Sequence, residues 1–86
     1  MSSLFFRQLF DKESSTYTYI IADPKSKKAL IIDPVLDQID RDLLILNELH
    51  FTLEYIFDTH VHADHITGSG LMREKTGAKI IMSKNA

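Results

Sequence analysis

The chain contains no cysteine, which excludes a disulfide framework and any thiolate ligand for a metal. It has almost no excess of either charge: ten Lys and Arg stand against twelve Asp and Glu, a formal net charge of −2. No basic stripe runs along it, so nothing in the charge pattern points to a nucleic-acid partner. The local group Lys25, Lys27 and Lys28 follows a proline and reads as a solvated turn rather than a phosphate patch. No stretch approaches 18 apolar residues, and the N-terminus lacks a basic region followed by a long apolar run. Neither a membrane-spanning helix nor a secretory leader is indicated, and the expectation is a cytoplasmic protein with no membrane partner. No repeat, low-complexity tract or linker divides the 86 residues. One small domain is the upper bound, and a chain of this size buries only roughly 60–65% of its unfolded surface. Hydrophobic residues at 44% and charged residues at 26% are ordinary for a folded chain and argue against disorder.

Two faces can be read from the first apolar stretch. Leu4 to Phe10 alternates as a strand, with Leu4, Phe6, Gln8 and Phe10 on one side and Phe5, Arg7 and Leu9 on the other. Asp11 to Ser15 is a polar turn, and Thr16 to Ala22, rich in β-branched and aromatic residues, is a second strand. Asp23-Pro24-Lys25-Ser26 carries turn chemistry and predicts a hairpin into Ala29 to Ile32. That run is continuously apolar, consistent with a strand covered on both faces. After Asp33-Pro34 the period changes. From Asp37 to His50, Ile39, Leu43, Leu46 and His50 fall at helical spacing, widened by Leu44, Ile45 and Leu49. Asp37 is placed to cap this helix, Asp40 and Asp42 suit its dipole, and His50 suits its C-terminal end. Leu53 to Asp58 is a fourth strand. A second helix runs from Ile66 or Thr67 to Thr76, packing through Leu71 and Met72, and Gly77 suits its C′ position. Lys79 to Met82 is a fifth strand. The element order predicts an α/β (α+β) chain, a mixed sheet with two helices on one face.

The densest chemistry lies between the fourth strand and the second helix, in Asp58-Thr59-His60-Val61-His62-Ala63-Asp64-His65-Ile66-Thr67-Gly68. Three of the four histidines and one carboxylate fall between His60 and His65. In an extended backbone His60 and His62 point the same way, and the turn that follows can bring Asp64 and His65 to the same cavity. Imidazole nitrogen with carboxylate oxygen suits zinc or iron. Glu74, further along the helix, reads as a surface residue.

The pattern Thr-His-x-His-x-Asp-His, Thr59 to His65, resembles the signature of the metallo-β-lactamase superfamily. Many hydrolytic members carry two glycines after it, whereas Ile66-Thr67-Gly68 follows here. Glu13 to Tyr19 and Ile32-Asp33-Pro34-Val35 resemble the persulfide dioxygenase branch, and the likeness runs from about Phe6 to Met82. It covers only the front part of that family's catalytic domain. The resemblance therefore implies the N-terminal half of an αββα sandwich, with residues 1–86 forming a partial domain. Half a sandwich leaves one sheet face without its opposing sheet, and Phe5, Phe6, Tyr17 and Tyr19 are candidates for that face.

What the resemblance implies chemically is a single Fe(II) per complete site, held by two histidines and one carboxylate, with open positions for substrate and dioxygen. Its first histidine maps onto His60, the metal ligand expected here. The other two ligands come from later family segments with no counterpart in this sequence. His62, Asp64 and His65 match metal-binding positions of two-metal hydrolytic relatives. In the iron branch they would instead orient ligands by hydrogen bonds or handle protons. Asp33 and Asp58 end strands near the expected cavity and read first as backbone-bonding residues. The implied reaction oxidises a small-molecule thiol persulfide, such as glutathione persulfide, with dioxygen to sulfite and the free thiol. The enzymatic alternative is a glyoxalase II-like thioester hydrolase using two zinc ions. The non-catalytic alternative is a truncated fragment or a module completed by self-association or a partner chain. For the isolated chain, negligible turnover is expected.

Overall fold

The computed structural model describes residues 3–59 and 68–82. Five strands form one sheet in the order β1-β2-β3-β4-β5. They are β1 (Phe5–Asp11), β2 (Thr16–Asp23), β3 (Lys28–Ile32), β4 (Thr52–Asp58) and β5 (Lys79–Met82). The first three form an antiparallel meander, and β3, β4 and β5 run parallel. The parallel pairs need crossovers, which are α1 (Ile39–Glu48), between β3 and β4, and α2 (Ser69–Thr76), between β4 and β5. This is the mixed sheet with two helices that the element order predicts.

Both helices lie over one sheet face, and their side chains share a single core with it. Ile20, Ala22, Ala29, Ile31, Leu53 and Ile56 from the sheet meet Ile39 and Leu46 of α1 and Met72 of α2. Turn chemistry joins the antiparallel strands. Asp23 accepts the Lys25 amide at 3.0 Å, and Lys27 takes the left-handed conformation (φ 65°) that closes the β2–β3 hairpin. In the β1–β2 turn, Asp11 accepts from the Ser14 amide and hydroxyl, and from Gln38 Nε2 at 2.8 Å. Those bonds, Gln38 first and then Ser14, hold its carboxyl below the usual aspartate value.

Several expectations need correction. Phe5 faces the helices, packing on Phe51 with ring centroids 5.2 Å apart; only Phe6, Tyr17 and Tyr19 lie on the opposite face. The alternation of β1 separates Phe5 from Phe6. Among the described residues β3 is covered on one face, with Ala29 and Ile31 buried and Leu30 and Ile32 half-buried. The helical region is shorter than Asp37 to His50. A 3-10 turn over Leu36–Gln38 precedes α1, and no side chain caps either start, Asp37 included. His50 lies beyond α1 with φ 60°, and its amide donates to Asn47 O. Asp42 stands in the first turn of α1, as expected, but is fully buried, in line with Ile39 and Leu46, whereas Leu44 is exposed. In β4 the register to β3 shifts so that Ala29 opposes Leu53 while Leu30 opposes Tyr55. This bulge lets Leu53 and Ile56, three residues apart, both enter the core. The second helix begins at Ser69 among the described residues and ends, as expected, on Gly77 with φ 78°.

Candidate functional site

The carboxyl ends of parallel strands are where open α/β sheets place their ligands, and the polar groups of this chain gather there. Asp33 follows β3, Asp58 and Thr59 end β4, and Ser69 opens α2. His60, His62, Asp64 and His65 fall in the intervening stretch 60–67, which lies outside the described residues. The structure does describe how both ends of that stretch are fastened.

Asp33 is the hub. Its amide donates to Phe57 O at 2.8 Å and its carbonyl accepts the buried Thr18 hydroxyl at 2.8 Å. Its carboxylate accepts the Thr59 amide at 2.8 Å and the Thr59 hydroxyl through the other oxygen. These contacts join β2, β3 and β4 at one point and lock the residue that precedes His60. Asp33 has φ 53°, and it stands before Pro34, a position that favours extended backbone. A strained conformation of this kind persists only when its surroundings over-determine it, and four hydrogen bonds do so. Asp is among the few residues that enter this region at modest cost.

The far end is fastened to the same segment. Gly68 N donates to Pro34 O at 2.8 Å, and the buried Ser69 hydroxyl donates to the buried Asp58 carboxylate at 2.5 Å. A Cβ on Gly68 would stand 2.5 Å from Ile39 Cδ1, 3.0 Å from Val35 C and 3.1 Å from Leu36 N. Side-chain movement can relieve the first contact but not the two with backbone. Gly68→Ala is therefore expected to cost about 1–2 kcal/mol through overpacking, read as a lower urea midpoint. Gly70 supplies the control, since its Cβ would meet nothing within 4 Å. Gly70→Ala, inside α2, is expected to stabilise by about 0.5–1 kcal/mol.

Asp33 and Asp58 thus act on backbone and hydroxyl groups of the loop ends, as their strand-end positions suggest. Glu74 is an exposed helix residue, as expected. Thr18, Gly68 and Ser69 were not singled out from sequence for these contacts. The Gly68-Ser69-Gly70 run is a visible signal of close packing, but a threonine in a β-branched strand carries none. Among the described residues, no group of three or more His, Cys, Asp or Glu is placed to hold a metal ion. The donor chemistry of residues 60–65 does fit one, because imidazole and carboxylate groups follow directly from a fastened strand end. Among the described residues, no helix is long and apolar enough to cross a membrane.

Comparison with known proteins gives the chain its family. The chain is 52% identical over 67 residues to persulfide dioxygenase ETHE1, mitochondrial, of Bos taurus, covering 78% of this chain and 26% of that protein. The Homo sapiens protein of the same name is 49% identical over 70 residues, covering 81% of this chain and 28% of the relative. The crystal structure of ETHE1 from Myxococcus xanthus superposes with a TM-score of 0.88 at 60% identity, over 94% of this chain and 36% of that one. The chain thus spans about a quarter of the length of these curated relatives. Residues 11–86 match the family described as the Metallo-beta-lactamase superfamily, and the chain belongs to that superfamily.

Proposed function

We propose that residues 1–86 form the front part of an iron-dependent persulfide dioxygenase domain, with His60 as an iron ligand. His62, Asp64 and His65 serve the same reaction by orienting ligands and moving protons. The observation that carries this reading is similarity at about half identity to persulfide dioxygenases across most of the chain. Membership of the superfamily implies metal dependence; the choice of iron over zinc is part of the proposal. Glutathione persulfide, dioxygen and water would give glutathione, sulfite and two protons. Bound iron supplies the open-shell chemistry that lets dioxygen react with a spin-paired persulfide.

The chain's own contribution is position. Asp33 fixes the Thr59 amide and hydroxyl, which limits where the next residue, His60, can place its ring. Asp58 and Ser69 close the other side, so the eight residues 60–67 span two anchored ends. Anchoring of this kind lowers the conformational entropy lost when the loop's side chains converge on a ligand. The reaction belongs to an aqueous compartment. The cytoplasm is our assignment, and the mitochondrial names of the bovine and human relatives make cell fractionation its test.

By this reading His60 is the one member of the iron triad in the 86 residues, so the chain alone turns over persulfide negligibly. Anaerobic titration with ferrous iron should show weak binding that His60→Ala abolishes and that His62→Ala or Asp64→Ala lowers less. Oxygen uptake with glutathione persulfide should stay at the level of buffer. Measurable persulfide-dependent uptake would overturn the inactivity of the isolated chain. Two zinc ions bound per chain, with all four side chains contributing equally and a glutathione thioester hydrolysed, would favour the hydrolase instead.

A further inference from the structure

Both ends of the stretch 60–67 are fastened to one short segment, residues 33–38. At the near end Asp33 accepts the Thr59 amide and hydroxyl. At the far end Pro34 O accepts the Gly68 amide at 2.8 Å. Gly68 also lies so close that a Cβ on it would meet Val35 C at 3.0 Å and Leu36 N at 3.1 Å. The distance between the two ends of the stretch is therefore set by the geometry of 33–38. That segment runs from the end of β3 to the start of α1. Inside it, Gln38 N donates to Val35 O at 2.9 Å, closing the 3-10 turn, and no side chain caps that turn. A 3-10 turn has poorer hydrogen-bond geometry than an α-helix, so its shape depends on what holds its last residue.

The holder lies 27 positions away. Gln38 Nε2 donates to Asp11 Oδ1 at 2.8 Å, and Asp11 is buried. The acceptor is itself fixed, because Asp11 Oδ2 accepts the Ser14 amide at 3.0 Å and the Ser14 hydroxyl at 2.6 Å. Three residues further into α1, Arg41 Nη1 donates to Phe10 O at 3.0 Å. The end of β1 and the β1–β2 turn thus grip the start of the helix region at two neighbouring points. Strand register puts that turn at the sheet end where β3 and β4 finish, since Tyr19 opposes Ile32 and the turn lies beyond Thr16. A hydrogen bond to an ionised acceptor is about twice as strong as one between neutral groups, which makes Gln38–Asp11 the firmer of the two grips.

We propose that Gln38 is a positioning residue for the metal-binding stretch: by tying segment 33–38 to Asp11 it keeps both loop anchors, Asp33 and Pro34, at their working separation. Metal sites depend on such outer supports, because a ligand held loosely pays for its ordering when the ion binds. This role rests on the reading of His60, His62, Asp64 and His65 as metal-directed side chains, and not on persulfide chemistry. A bond that served only to close the β1–β2 turn would affect stability and leave metal affinity alone.

Zinc affinity of the 86-residue chain, read by competition with a chromophoric chelator, tests this at a temperature where circular dichroism shows each variant folded. Gln38→Ala is expected to weaken zinc binding by about 3–10-fold, the range for residues that couple to a site without touching its ligand. Gln38→Glu, which sets a carboxylate against the Asp11 carboxylate, should weaken it at least as much. Adding Asp11→Asn to Gln38→Glu reverses the polarity of the bond. The asparagine amide donates to the glutamate while its oxygen still accepts from Ser14, and zinc affinity should return to near that of the parent. Without metal, amide exchange at Gly68 should quicken in both single variants and slow again in the pair. Should the single variants not fold, Gln38→Asn, one methylene too short to reach Asp11, provides a milder break with the same expected direction. Parental zinc affinity in the folded single variants, or no recovery in the pair, overturns the proposal. His60→Ala separates the two readings. If it abolishes zinc binding while the Gln38 variants bind like the parent, the metal reading stands and the role of Gln38 falls. Zinc binding untouched by His60→Ala would overturn the metal reading and this role with it.

Discussion

Asp33→Ala is expected to lower unfolding free energy by about 2–4 kcal/mol, since two hydrogen bonds to a charged acceptor are lost and Thr59 N–H is left without that partner. The side chain accepts from the Thr59 amide and hydroxyl, while the Asp33 backbone bonds Phe57 and Thr18. Alanine at φ 53° adds a conformational penalty that aspartate largely avoids. Asp33→Asn separates the two causes. It keeps tolerance of the left-handed conformation and one carbonyl acceptor for the Thr59 amide, so at least half of the loss should return. Urea unfolding at low temperature, where the alanine variant still folds, reads both. If the clamp positions His60 as proposed, Asp33→Ala also weakens ferrous iron or zinc binding by about 10–100-fold, as loss of a residue supporting a metal ligand typically does, and Asp33→Asn restores most of it. Lost stability with unaltered metal affinity would show that Asp33 braces the strands without aiming the loop. Unaltered stability would refute the clamp itself.

The elements were readable because their signals are local. Alternation marked β1 and β2, helical spacing marked α1, and glycine at 77 marked the end of α2 through its need for positive φ. The opposite sheet face was readable in part, as Tyr17 and Tyr19 alternate with the buried Thr18 and Ile20, but the same alternation was missed in β1, where Phe5 turns to the core and Phe6 away from it. Long-range effects were not. The position of Leu53 relative to Ile56 depends on a bulge against β3, and the burial of Asp42 depends on how α1 settles on the sheet. The candidate site divides along the same line. Four metal-binding side chains within six residues are visible in one dimension. The groups that fasten that loop are separated in sequence, Asp33 from Thr59 by 26 positions and Asp58 from Ser69 by 11. The Gly68-Ser69-Gly70 run signals close packing, but nothing in it names the backbone of Val35 and Leu36, 33 and 32 positions away, as what a Cβ on Gly68 would meet.

The stability of the chain should fall as pH rises from about 4 to about 6, because of Asp42. Its side chain is fully buried in α1, and burial pushes the carboxyl up to about 6 from an ordinary 3.8, against the pull of Arg41. Arg41 Nε donates to Asp42 Oδ1 at 3.0 Å and Arg41 Nη1 to Phe10 O at 3.0 Å, while Asp42 Oδ2 and Arg41 Nη2 are buried without hydrogen-bond partners. Below pH 3.8 both folded and unfolded chains hold the proton and Asp42 contributes nothing. Between 3.8 and about 6 the folded state keeps the proton that the unfolded state has lost, so the pH dependence is negative. Above that window the folded state carries a buried carboxylate at a cost of about 3 kcal/mol, from 1.36 kcal/mol per pKa unit. Asp11 acts in the opposite sense and in a different window. With its carboxyl lowered, its contribution is complete above 3.8 and is lost as pH falls through the folded value. Asp42→Asn isolates the first effect, because every other titrating group cancels in the difference between variant and parent. The variant retains an acceptor for Arg41 Nε and should exceed the parent in urea midpoint at pH 7, with the two curves converging at pH 4. Equal midpoints at both pH values would mean that the Arg41 pair fully offsets the burial of the carboxylate, and the core would then have no stake in the charge of Asp42.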